Sequence, residues 1–80
     1  MTINELAIKL RKMYDTKGAN KTTMIHIFGV IYSNEIREAG IKPIEIVKVA
    51  QMHESYQTEV NKGMNLSEYV VLKQEYKDVF

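Results

Sequence analysis

The chain has 80 residues, 45% of them hydrophobic and 26% charged, which is the balance of one folded domain and not of a disordered segment. It contains no cysteine, which excludes disulfides and thiolate metal sites and fits a reducing, cytoplasmic setting. The formal net charge is only +1, but residues 1–21 carry +3 and the remainder −2, so a phosphate-facing surface would lean on the N-terminal segment.

The first segment, MTINELAIKLRKMYD, is amphipathic and lacks the uninterrupted apolar stretch of a signal peptide. Thr2 and Glu5 have capping-box spacing, which satisfies two free N–H groups at a helix start. Ile3, Leu6, Ala7, Leu10, Met13 and Tyr14 then recur at helical spacing, with Lys9, Arg11 and Lys12 opposite. Gly18 and Asn20 in DTKGANK end this helix.

Thr22 or Thr23 is the expected cap of a second element that runs to Ala39, with Gly40 as its stop. MIHIFGVIY (24–32) is rich in β-branched and aromatic residues and reads locally as a buried strand. SNEIREA continues it without a break, and Phe28, Ile31, Tyr32, Ile36 and Ala39 keep a helical period, which favours one long helix. Gly29 in its middle costs about 1 kcal/mol against alanine, and a close helix–helix crossing is the return expected for it.

Pro43 suits the first turn of a third helix, where its missing N–H is unpaired in any case. Ile44, Val47, Ala50 and Met52 supply the buried side, and Ile41 is placed to staple against Val47. After His53-Glu54, Ser55 is the expected N-cap of YQTEVNK, and Gly63 its terminator. The tail, NLSEYVVLKQEYKDVF, fits either a short strand at Tyr69–Leu72 or a short helix, with a strand-like or irregular start and a short helix after it favoured; a lone strand would need a partner, such as a second subunit. Met13, Met24, Met52 and Met64 are expected to fill core gaps, and Tyr14, Tyr32 and Tyr69 to bury their rings while keeping a wet hydroxyl. No repeat, linker or low-complexity segment interrupts residues 1–80, and no apolar run nears the roughly 20 residues needed to cross a bilayer.

Pro43–Leu66 has the pattern of a helix-turn-helix, the unit that lays its second helix in the DNA major groove. On that reading Ala50 lets the second helix cross closely, Val60 is its inward anchor, and Val49 and Met52 fill the space beneath. Tyr56, Gln57, Thr58, Asn61 and Lys62 then point outward. Gln57, Thr58 and Asn61 are the candidates to read bases, since amides pair with adenine and a threonine methyl meets that of thymine. Lys9, Arg11, Lys12, Tyr56 and Lys62 are the candidates for phosphate. Two features oppose this: Glu54 stands near the turn position that favours glycine, and Glu59 adds negative charge to the helix meant to approach phosphate.

The residues Thr23–Gly29, Tyr32 and Glu35-Ile36, followed by Ser55-Tyr56-x-Thr58-Glu59-Val60-x-Lys62-Gly63-Met64-x-Leu66-x-x-Tyr69-Val70, resemble small bacterial proteins described as helix-turn-helix-like. The resemblance spans residues 3–72 and carries no catalytic motif. It implies an all-helical segment 23–39, structural roles for Gly29 and Gly63, and surface roles for Tyr56, Thr58 and Lys62.

His26 and His53 are 27 positions apart with no ligand-like spacing, so neither a metal site nor a cofactor is expected. His26 reads as a packed or half-exposed helix residue and His53 as an exposed turn residue. The expectation is a compact all-α domain of four helices with a helix-turn-helix-like unit in the third and fourth. The function expected is a non-enzymatic DNA-binding or regulatory module, acting on double-stranded DNA as a homodimer over paired half-sites. The alternative is a protein-interaction or inhibitor module with a protein partner and no nucleic acid.

Overall fold

The computed structural model describes all residues, 1–80, as four helices with no strand: α1 (Ile3–Tyr14), α2 (Lys21–Glu38), α3 (Pro43–Val49) and α4 (Gln57–Leu66). Single 3-10 turns at Glu54–Tyr56 and Gln74–Tyr76 complete it. The starts of α1 and α2 are set by side chains. The Thr2 hydroxyl accepts from the Glu5 N–H and the Glu5 carboxylate accepts from the Thr2 N–H, closing the capping box. Hydrogen bonding of the carboxylate to the Thr2 N–H, first, and to the Thr2 hydroxyl holds the Glu5 carboxyl below its ordinary range. At α2 the expectation fails by two or three residues. Asn20 is the cap, its amide oxygen accepting from the Thr23 N–H at 2.9 Å, because asparagine outranks threonine as an N-cap and stands at the right remove from a free N–H.

The two inner helices cross where neither has a side chain. A methyl group at Gly29 would lie 2.5 Å from the Val60 carbonyl oxygen and 2.8 Å from Gly63 Cα. A methyl group at Gly63 would run into the His26 carbonyl oxygen. The close crossing expected at Gly29 is present, and its counterpart is Gly63. Gly63 therefore does not end the helix, as its local context suggested; α4 continues one more turn, to Leu66. β-branched residues around Gly29 do not make a strand, since the apolar positions Ile25, Phe28, Tyr32 and Ile36 line one side of α2 and are buried.

The core is filled from all four helices. Leu6 and Leu10 of α1, Ile25, Phe28 and Ile36 of α2, Ile46 and Val47 of α3 and Val60 of α4 are fully buried, each contributing about 1.5–3 kcal/mol of hydrophobic stabilisation. Met13, Met24, Met52 and Met64 are buried among them, as expected. In α3 Val47 and Ala50, with Met52 just beyond, are buried as expected; Ile46 joins them, whereas Ile44 is only half-buried and Val49 is 44% exposed. Val49 therefore does not fill the space beneath α4.

α3 ends in a Schellman motif in which Gln51 N–H bonds to Lys48 O and Met52 N–H to Val47 O, at 3.0 and 2.9 Å. The left-handed residue of this motif is Gln51, with φ of 58°, so the glycine-favouring position of the turn is Gln51 and not the neighbourhood of Glu54. Two further devices brace the corner. Arg11 pairs with Asp15 at 2.9 Å and donates to the carbonyl oxygens of Ala50 and Gln51 at 3.5 and 3.4 Å. His53, not Ser55, caps the following turn: its Nδ1 accepts from the Ser55 N–H, at 3.1 Å.

The tail forms no strand: it starts irregularly and carries one short 3-10 helix. After Leu66 the chain runs without helix to the 3-10 turn at Gln74–Tyr76, returning along α2 so that the Tyr32 hydroxyl donates to Phe80 O at 3.2 Å. Tyr32 buries its ring and Tyr14 is half-buried, whereas Tyr69 is 83% exposed, against expectation. No other strand is available to pair with Tyr69–Leu72.

Candidate functional site

α4 has two sharply different sides. Val60, Gly63 and Met64 face inward. Thr58, Asn61, Lys62, Asn65 and Leu66 face solvent, and Thr58, Asn61 and Asn65 fall on one stripe at i, i+3 and i+7. Gln57 is half-buried at the edge of that stripe. Among residues 57–66 the side-chain hydrogen bonds are those of Glu59 with His26 and Lys62, so the amides of Gln57, Asn61 and Asn65 and the hydroxyl of Thr58 have no partner within the chain.

Glu59 decides the electrostatics of this face. Its side chain is 21% exposed and lies across the crossing, against the His26 imidazole of α2, with the Lys62 ammonium 3.4 Å from its other oxygen. The bond to His26 is the largest influence drawing the Glu59 carboxyl below its ordinary range; partial burial opposes it and Lys62 adds to it. The carboxylate that seemed to spoil the outer face of the helix is thus turned inward and paired with His26 and Lys62. Glu54, on the preceding turn, lies 3.6 Å from Lys48.

At the N-terminal end of α4, Tyr56 meets α1. Its ring packs edge-on against Tyr14 with centroids 5.5 Å apart, and the two hydroxyls are 3.3 Å apart. This hydrogen bond is the main reason the Tyr56 hydroxyl titrates above its ordinary value. Lys21 sits 4.2 Å from the Tyr14 ring centroid and donates to Tyr14 O at 2.9 Å, which brings a cation to this corner.

The structure thus gathers Tyr56, Gln57, Thr58, Asn61 and Lys62 on and beside α4, but not the basic residues of α1. Lys9 and Lys12 line a cleft with Thr16 and the C-terminal Asp78–Phe80. Arg11 is spent on Asp15 and the α3–α4 turn. Two residues escaped the sequence reading. Asn65 lies beyond Gly63, where the helix was expected to have ended; Met64, four positions after Val60, was the signal that it continues. Lys21 stood among five basic residues, with nothing local to single it out.

A short helix, a left-handed turn and a second helix with a solvent-facing polar side define a small helix-turn-helix-like domain. Residues 2–73 match the family described as HTH-like domain, and the chain belongs to that family. No curated protein and no solved structure matches the chain. No helix is long and apolar enough to cross a membrane.

Proposed function

We propose that the protein is a non-enzymatic, cytoplasmic DNA-binding module that lays α4 in the major groove of duplex DNA. One observation carries this reading: the outer face of α4 offers Thr58, Asn61, Lys62 and Asn65 with no carboxylate among them, because Glu59 is turned inward onto His26. Amide and hydroxyl side chains are those that read base edges, and a lysine beside them holds phosphate. Lys62, with Lys21 and Tyr56 at the α1–α4 corner, supplies the phosphate contacts; Lys9 and Lys12 border the tail and contribute only long-range attraction. So few cations give one copy a small footprint, so the working unit is a homodimer on paired half-sites.

The test is binding of labelled duplex DNA at rising salt. Two cationic phosphate contacts per copy, Lys21 and Lys62, predict that log K falls with log [salt] at a slope of about −2 per copy. Absence of binding at low salt overturns the reading.

A second reading has its own support. Tyr69 and Val71 on the tail are 83% and 84% exposed, more apolar display than a self-contained domain needs. A protein-interaction or inhibitor module would use that tail and leave the α4 face unoccupied. A stoichiometric protein partner lost on substituting Tyr69 and Val71, with no DNA binding, would establish it.

A further inference from the structure

We propose that α4 is an adenine reader: Asn61 and Asn65 each engage one adenine, and Thr58 lies against a thymine methyl. This rests on the DNA-binding reading above and narrows it to sites rich in A·T pairs.

The chemistry follows from which groups on this face are free and which are occupied. Adenine presents an N6–H donor and an N7 acceptor in the major groove, matched by the Oδ1 and Nδ2 of asparagine; guanine presents two acceptors, matched best by arginine. The arginines of the chain are Arg11 and Arg37, and neither is on α4. Arg11 is turned to the carbonyls of Ala50 and Gln51, and Arg37 to Met64 O at 3.5 Å. Lys62, the remaining cation on the face, lies 3.4 Å from Glu59 and is assigned above to phosphate, not to a base. What is left free are donor–acceptor amides, Asn61 and Asn65, exposed and without a partner in the chain.

Spacing makes the proposal sharper. Residues four apart on a helix are displaced by about 6 Å along its axis. Base pairs stack every ~3.4 Å, so the two asparagines fall about two steps apart. Thr58 is one turn before Asn61, where its methyl extends the same track. The site expected for one copy is therefore two adenines separated by a single base pair, with a thymine beyond the one nearer the start of α4.

The experiment is selection from a random-sequence duplex library by the full chain, followed by titration of the best duplex with base analogues. The expected result is an A·T-rich consensus with that spacing. Replacing either adenine by 7-deaza-adenine, which lacks the N7 acceptor, should weaken binding about 5- to 150-fold, the range of one paired base contact. Asn61→Ala should abolish discrimination at one adenine and Asn65→Ala at the other, with helicity and melting unchanged. Duplex binding without sequence preference, a G·C-rich consensus, or indifference to 7-deaza-adenine would overturn the inference and leave the DNA-binding reading standing. Failure to enrich any duplex at low salt would overturn both.

Discussion

The two sides of α4 are held to different standards. On the inner side every position is dictated by a neighbour: Gly63 by the backbone of α2, Val60 by the core, Glu59 by His26. On the outer side nothing in the chain dictates Thr58, Asn61 or Asn65. Such a division is expected of an element that one side anchors and the other presents, and it separates the consequences of substitution. Inner substitutions should change stability, and outer ones binding.

The largest effect expected is at the glycine crossing. Gly63→Ala and Gly29→Ala each force a methyl group into backbone, which cannot yield as a side chain can. Overpacking of this kind typically costs about 1–3 kcal/mol and sometimes more, so denaturant midpoints should fall sharply or the chain should fail to fold. A near-normal midpoint for Gly63→Ala would break the comparison at its strongest point.

The next effect tests where α2 begins. Asn20→Ala should lose about 1 kcal/mol, a typical value for an N-cap, while Thr22→Ala should stay within about 0.5 kcal/mol, as exposed positions do. Equal losses would return the cap to the threonines. At the turn, Gln51→Gly relieves a left-handed residue of about 1–2 kcal/mol of steric cost and gives back part of it through the unfolded chain. The net outcome is unchanged or raised stability, by up to about 1 kcal/mol; a loss would contradict the left-handed assignment.

The smallest effect concerns pH. The Glu59 carboxyl is depressed in the folded chain by His26 first and Lys62 after it. A depressed carboxyl contributes stability that is present above its unfolded value near 4.3 and is lost as pH falls through the folded value below it. Thermal melts at pH 7 and at pH values below about 4 should therefore show a steeper acid loss in the wild type than in Glu59→Gln. Parallel acid limbs would mean that the His26 contact does no electrostatic work.

The same division explains what could be read from the sequence. The capping box at Thr2 and Glu5, the helical period of α2 and the inward anchor Val60 are local signals, and each is present in the fold. Gly29 was legible as a crossing because it sits mid-helix, where nothing else excuses it. Gly63 was not, because a glycine that permits a close approach and one that ends a helix look alike until the partner helix is in place. The inward turn of Glu59 depends on His26, 33 residues away, and no local spacing announces such a pair. The basic residues of α1 were visible as charge, but their division between the tail and the α3–α4 turn follows only from packing. Gln51 escaped because its side chain gives no sign of a left-handed backbone.

The claim that α4 presents a DNA-reading face is tested most directly by mapping amide chemical-shift changes while duplex DNA is added to the isotopically labelled chain. The predicted result is a contiguous set of perturbations over Tyr56–Asn65 and at Lys21, growing with DNA and collapsing at high salt, with residues 67–80 unmoved. Perturbations confined to the tail, or none at low salt, would contradict it.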